Sequence, residues 1–138
     1  MYLLDTNACI RILTGRSAPL VERLRQKSPR EILLCSIIKA ELIHGAYHSA
    51  RPAENMRLLD RFFEPYDSLP FDDRCAEAYG RIRSDLGRAG VVIGPNDLLI
   101  AATAMIHRLT LVTANTREFT RVIGLEIENW ELPIETNN

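Results

Sequence analysis

The chain begins with Tyr2-Leu3-Leu4-Asp5-Thr6-Asn7, residues 2–7, in which a short apolar run meets three polar side chains. A run this short, bounded by polar residues, predicts a buried β-strand. Similar runs recur along the chain and alternate with longer segments of helical periodicity. This alternation is typical of an α/β fold in which helices cover both faces of a mostly parallel sheet.

Five strands are predicted, over residues 2–4, 32–35, 66–69, 110–113 and 125–129. Pro65 and Pro70 flank the third strand, and this favours an edge position because proline donates no backbone hydrogen bond. Six helices are predicted, over residues 8–13, 19–26, 37–48, 52–63, 72–89 and 95–107. Ser36 is expected to cap the third helix, and Gly90 is expected to end the fifth.

The helices over 37–48 and 52–63 follow each other without an intervening strand, so we expect a helical hairpin that protrudes from the sheet. Its apolar face is either part of the core or covered by a second subunit or partner. No repeat or linker divides the chain. Its 138 residues, 46% of them hydrophobic, are therefore expected to form a single domain over residues 1–138.

Composition excludes several classes of protein. The three cysteines lack metal-binding or redox spacing and are expected to be reduced, buried thiols. We expect a soluble, cytoplasmic protein, because there is no signal peptide and the longest apolar run, residues 98–106, is far shorter than the roughly 20 residues of a membrane span. A net charge of -1 argues against non-specific coating of nucleic acid, although arginine supplies all basic residues except Lys27 and Lys39.

Three carboxylates, Asp5, Glu41 and Asp97, lie where an apolar segment meets a turn or a helix. Ligands of open parallel sheets bind beyond the carboxyl ends of the strands, so all three could meet at that edge. Each also has a structural interpretation. Asp5 could cap the first helix, Asp97 could interact with a helix dipole, and Glu41 could be an ordinary residue at the border of an apolar helix face.

A second polar segment, residues 113–119, follows the predicted fourth strand. It would bring Thr113, Asn115 and Glu118 to the same edge, unless it is only a turn and a short capped helix. Crowded carboxylates need a positive charge, and hard oxygen ligands select Mg²⁺ or Mn²⁺ over zinc. Such a site activates water and stabilises a phosphate during displacement, so phosphodiester hydrolysis is the reaction that we expect.

Five segments, taken in order, resemble a PIN domain of the VapC toxin type. They are residues 4–7, 40–45, 94–97, 112–119 and 128–130. The resemblance implies a three-layer α/β/α fold with four to five strands and a metal-dependent endoribonuclease that is the toxin of a toxin-antitoxin pair. It also implies an RNA substrate, with tRNA a reasonable candidate, neutralisation by a cognate antitoxin, and a homodimer or a hetero-oligomer with that antitoxin.

Carried over by position, Asp5 and Asp97 would be the metal ligands, with Mg²⁺ as the cofactor and Mn²⁺ as a substitute. Glu41 would orient the attacking water, and Thr6 and Thr113 would support these groups by hydrogen bonds. Many PIN domains have an aspartate where this chain has Asn115, so a second metal position would be weaker here. Glu118 is a candidate to compensate. Candidates for an RNA-binding rim are Arg81, Arg83, Arg88 and Arg117.

Three alternatives remain open. His44 and His48 lie one helical turn apart and could form a zinc site with Glu41, although the usual zinc-protease motif has glutamate where Gly45 stands. A phosphatase could use Asp5 as nucleophile, but that chemistry favours an aspartate at position 7, which is asparagine. Finally, the chain could be a non-catalytic acidic module that binds a metal or protein.

Overall fold

The computed structural model of the chain describes residues 1–133. Its five strands are β1 (Tyr2–Leu4), β2 (Ile32–Cys35), β3 (Asp67–Leu69), β4 (Thr110–Val112) and β5 (Ile127–Glu128). They form one sheet in the order β3-β2-β1-β4-β5, and every pair is parallel. The predicted parallel α/β architecture is confirmed, and β3 occupies the edge that its flanking prolines favour.

The central strands are buried because helices flank the sheet. Leu3 pairs with Leu33 on one side and with Leu111 on the other. The side chains of Leu3, Leu34 and Leu111 are fully buried. Burial on both faces explains why these strands are apolar throughout instead of alternating between apolar and polar residues.

In the described part of the chain, seven helices connect the strands: α1 (Thr6–Thr14), α2 (Ala18–Arg25), α3 (Ser36–Tyr47), α4 (Pro52–Phe63), α5 (Asp73–Arg88), α6 (Pro95–Ile106) and α7 (Thr116–Phe119). A short 3-10 turn, Pro29–Glu31, precedes β2. The six predicted helices are all present. The short α7 corresponds to the structural interpretation of residues 113–119. Within residues 1–133, no helix combines the length and apolarity that crossing a membrane requires.

Several helix ends follow local chemistry. Asp5 caps α1, and Gly90, with a φ of 72°, follows the end of α5 as predicted. The prediction that Ser36 caps α3 is wrong, because the extended Cys35 leads directly from β2 into the helix and Ser36 is already its first residue. The Ser36 hydroxyl instead donates to the Leu69 carbonyl of β3, at 3.4 Å.

Helices α3 and α4 form the predicted hairpin and pack against each other. At its turn, Asn55 donates to the Ser49 hydroxyl at 2.8 Å, and Ser49 donates to the Ala46 carbonyl at 2.6 Å. Helix α3 also contacts α1 and α6. Helix α4 buries Leu59 and packs Met56, Phe62 and Phe63 against the core, while Leu58 borders a groove.

Candidate active site

Asp5 and Thr113 lie side by side because they follow the neighbouring strands β1 and β4. The Asp5 amide donates to the Val112 carbonyl at 3.1 Å, which continues the ladder between the two strands. Both side chains are buried, with Asp5 5% exposed and Thr113 1% exposed. Polar groups this deeply buried at strand ends are costly unless they bind something or are hydrogen-bonded.

The Asp5 carboxylate has a structural partner, since Oδ1 accepts a hydrogen bond from the Ala8 amide at 2.8 Å. Burial nevertheless raises its pKa, and the nearby Glu131 and Glu41 add to the rise. Hydrogen bonds from Thr113 and Ala8 offset part of this effect. Capping and a functional role therefore coexist at Asp5, because a carboxylate has a second oxygen with which to bind a ligand.

Glu41 reaches the same place from α3. Its Oε1 accepts a hydrogen bond from the Thr6 hydroxyl at 2.6 Å. This contact joins two predicted site residues that lie 35 positions apart in the chain. Because one carboxylate oxygen is held, the orientation of the other is restricted as well.

Asp97 lies in the first turn of α6, after Gly94. Its pKa is raised to about 6, first because burial penalises the charged form and then because Glu118, Asp5 and Glu41 repel a further negative charge. The carboxylates that the sequence predicts therefore lie close enough to one another to interact electrostatically. The predicted convergence of Asp5, Glu41 and Asp97 is what the structure describes.

Glu118 is held differently. Its Oε1 accepts a hydrogen bond from the Gly94 amide, and its Oε2 accepts one from Asn115 Nδ2 at 2.8 Å. These two donors lower the pKa of Glu118. Asn115 is fixed in turn, because its backbone N–H donates to Thr113 Oγ1 at 2.9 Å. Glu118 thus joins the loop before α6 to the loop before α7.

The residues fit a hard divalent cation with few protein ligands. The ion pairs within residues 1–133 involve none of Asp5, Glu41 and Asp97, so their charges have no protein cation. In that part of the chain, no three His, Cys, Asp or Glu side chains are placed to hold one ion together. Mg²⁺ does not require three protein ligands, because it keeps several waters and commonly binds one or two carboxylates together with substrate phosphates.

Comparison with known proteins identifies the family of the chain. Residues 2–125 match the sequence model of the PIN domain. Over 129 residues, the chain is 38% identical to the tRNA(fMet)-specific endonuclease VapC of Shigella flexneri, covering 94% of this chain and 97% of that protein. It is also 36% identical over 132 residues to Ribonuclease VapC2 of Rickettsia felis, covering 95% and 98%. The chain belongs to the PIN domain family and to its VapC group.

A solved structure supports the same relationship. DNA-bound VapBC from Salmonella typhimurium matches this PIN domain with a TM-score of 0.88 and 36% identity, over 94% of this chain and 97% of that chain. A likeness over nearly the whole of both chains shows that the described sheet and helices belong to a shared fold.

The four arginines predicted to bind RNA lie in different settings. Arg88 pairs with Asp85 at 2.7 Å, so a neighbouring carboxylate balances its charge. Arg83 donates to the Tyr79 hydroxyl at 3.0 Å. Arg81 and Arg117 are exposed, and Arg117 is next to Glu118 in sequence. Their role in RNA binding remains a prediction, and Arg117 is the member of this group adjacent to the acidic site.

Two features of this PIN domain had no clear signal in the sequence. Glu131, after β5, is near enough to raise the pKa of Asp5, and it pairs with Arg11 of α1 at 3.1 Å. Asn7 and Arg11 line a polar depression beside Asn115. Their spacing of four residues, which puts side chains on one helix face, was the only sequence pattern that could have connected them.

The zinc alternative lacks a complete ligand set. His44 and His48 are exposed, and their rings stack with centroids 5.9 Å apart. Glu41, the third proposed ligand, accepts a hydrogen bond from Thr6 instead. Since residues 1–133 contain no group of three side chains placed for a metal, the pair is better described as a stacked surface pair.

Proposed function

We propose that this PIN domain is a Mg²⁺-dependent endoribonuclease, with Mn²⁺ as a substitute, and that it acts in the cytoplasm as the toxin of a toxin-antitoxin pair. The observation that carries the proposal is the cluster of Asp5, Glu41 and Asp97, which lie within electrostatic reach of one another and pair with no cation of residues 1–133. The names of the relatives point to RNA as the substrate. We propose tRNA as the substrate class, with tRNA(fMet) as the first RNA to test.

Each residue has a proposed role. Asp5 and Asp97 would hold the ion. When bound, Mg²⁺ lowers the pKa of water and stabilises charge on a phosphate undergoing displacement. Glu41, held by Thr6 through one oxygen, uses the other to orient the attacking water. Thr113 supports Asp5 by a hydrogen bond, and Asn115 and Glu118 support the loop that leads to Asp97.

The proposed antitoxin would inhibit the site by charge. An apolar groove of about 290 Å³ lies between α1 and the α3–α4 hairpin, and Glu41 is part of its lining. An apolar segment of a partner in this groove could bring an arginine to the carboxylates and replace the metal charge. We therefore expect the purified complex to bind Mg²⁺ at this site much more weakly than the free chain does. Unchanged Mg²⁺ affinity would contradict this mode of inhibition.

The test of the nuclease proposal is RNA cleavage by the chain freed of antitoxin. Total small RNA and a tRNA(fMet) transcript are incubated with Mg²⁺ or with EDTA, and the product ends are mapped. Asp5→Asn is the decisive variant, because asparagine still caps a helix but lacks the charge that holds a cation. Asp60→Asn, at an exposed position of α4, is the matched control.

Discrete cuts that need Mg²⁺ and are lost in Asp5→Asn, but persist in Asp60→Asn, are the expected result. Equal cutting by Asp5→Asn would assign the activity to a contaminant. The alternative is a non-catalytic acidic module. Mg²⁺ binding that depends on Asp5, without any cleavage, would favour that alternative.

A further inference from the structure

A depression of about 510 Å³ lies between α1, the turn after it and the loop before α7. Its volume is within the range of about 300–1,000 Å³ that is typical of ligand sites. It combines two arginines and two amides with an apolar surface of nearly equal extent. The lining residues are Asn7, Ile10, Arg11, Arg16, Ala114 and Asn115.

Two of the lining residues, Asn7 and Asn115, relate the depression to the acidic site. Asn7 is two residues beyond Asp5, in the first turn of α1. Asn115 donates one Nδ2 hydrogen to Glu118 at 2.8 Å, which leaves its second amide hydrogen available. The end of the depression formed by Asn7 and Asn115 is therefore the end that faces the site residues.

The two arginines differ in their free charge. Arg11 pairs with Glu131 at 3.1 Å, so part of its guanidinium is already engaged. Arg16 has no carboxylate partner within residues 1–133, and its side chain is exposed. The free positive charge of the depression is therefore supplied by Arg16.

The backbone holds Arg16 in place. Gly15 ends α1 with a φ of 65°, a conformation that favours glycine, and the Arg16 amide donates to the Arg11 carbonyl at 3.1 Å. The next residue, Ser17, is buried and caps α2. An arginine on such a tight turn can present its guanidinium to a ligand without ordering a loop first.

We propose that this depression binds the RNA phosphate of a nucleotide that flanks the cleaved bond, and that Arg16 is its principal ligand. The inference rests on the proposed ribonuclease function and adds a subsite to it. An acidic cluster repels a polyanion, so a cation beside it is needed to keep the chain of phosphates in place. The planar guanidinium matches phosphate oxygens, and the Asn7 and Asn115 amides can add donors.

The test compares Arg16→Gln with Arg25→Gln, which removes the same charge from an exposed position on α2. Cleavage of a tRNA(fMet) transcript gives kcat and KM. Binding of the same RNA is measured separately over a range of salt concentrations in an Asp97→Asn background, where cleavage is suppressed. Arg16→Lys tests whether charge alone is sufficient, because lysine keeps the charge but loses the fork.

We expect Arg16→Gln to raise KM by about twofold to fivefold with little change in kcat, since a flanking phosphate is bound equally in the ground and transition states. The slope of log affinity against log salt should fall by about 0.7 for the lost phosphate contact. Arg16→Lys should restore the slope but only part of the affinity. Arg25→Gln should match the unmodified chain.

A KM and a salt slope equal to those of Arg25→Gln would overturn the subsite. A loss of affinity for a protein partner alone, with RNA binding unchanged, would overturn it too and assign Arg16 to a protein interface. Failure of the nuclease proposal is separable. If the unmodified chain binds RNA without cutting it, the reduced salt slope of Arg16→Gln still supports the subsite.

Discussion

The acidic residues of the site form two groups that are held in opposite ways. Asp5 and Asp97 are shielded from water and lie near other carboxylates, so their pKa values are raised. Glu118 accepts hydrogen bonds from Gly94 and Asn115, so its pKa is lowered. The first group needs an external positive charge, whereas the protein itself already stabilises the second.

This difference distinguishes carboxylates that would bind the metal ion from a neighbouring carboxylate that holds a loop in place. Closeness to the site would make Glu118 as good a candidate metal ligand as Asp97. Its hydrogen bonds instead use both oxygens to fix the loop that leads into α6. We infer that the charge of Asp97 destabilises the metal-free chain and serves its function. Glu118, in contrast, stabilises the chain and keeps Asp97 in position.

The largest expected effect is that of Asp97→Asn. Cleavage should fall by about 10³-fold or more, because a charge aimed at the reacting centre is lost. The metal-free variant should also be more stable than the unmodified chain at about pH 8, by about 1–2 kcal/mol after allowance for solvent screening. Urea unfolding at about pH 5 and about pH 8, without metal, measures this difference.

The sign follows from proton binding. The Asp97 pKa rises from 3.8 to about 6 on folding, so the folded chain binds the proton more tightly and loses stability as pH rises through that interval. Asp97→Asn does not lose stability in this way, so the amount by which its unfolding free energy exceeds that of the unmodified chain should be larger at the higher pH. Asp60→Asn should show no such change. An advantage that is absent or independent of pH would show that Asp97 is not destabilised by its charge.

Glu118→Ala should have the opposite effect on stability. The variant should be about 1–2 kcal/mol less stable at neutral pH, because two hydrogen bonds to a charged group are lost. The lowered pKa contributes stability above the unfolded value of 4.5 that is lost as pH falls through the folded value. The difference in unfolding free energy between the variant and the unmodified chain should therefore become smaller at acidic pH, as measured by urea unfolding.

Cleavage by Glu118→Ala should fall by about tenfold, since a group that only positions another contributes less than a ligand. Glu126→Ala, which removes an exposed carboxylate nearby in sequence, is the control. A loss of activity as large as that of Asp97→Asn, without a loss of stability, would place Glu118 among the metal ligands and remove the distinction between the two groups.

Local patterns were sufficient to predict the fold. Buried parallel strands are apolar on both faces, and most helix ends have recognisable caps, so the elements were found within a few residues. Ser36 was misassigned because β2 enters α3 without a turn, which depends on tertiary structure. The convergence of Asp5, Glu41 and Asp97 was predictable because the topology of a parallel sheet brings its strand ends to one edge.

The remaining parts of the site depend on contacts between distant segments. Nothing in the sequence places Glu131 near Asp5, or connects Glu118 to the Gly94 amide 24 residues earlier. The inference that Glu118 holds a loop in place instead of binding metal rests on those contacts. The pairing of Arg88 with Asp85 is different, because their separation of three residues on a helix could have indicated it.

The smallest expected effect, and the finest test of the two groups, is that of Asn115→Asp. Without metal, the variant should lose up to about 1 kcal/mol, because Glu118 loses a donor and gains a neighbouring charge. With Mg²⁺, its unfolding free energy should rise more than that of the unmodified chain, since a carboxylate here would extend the metal-binding group. Asn55→Asp, which loses a similar bond to Ser49, should show no extra gain. If Mg²⁺ raised the unfolding free energy equally in all three chains, position 115 would only help Glu118 to hold the loop and would not extend the metal-binding group.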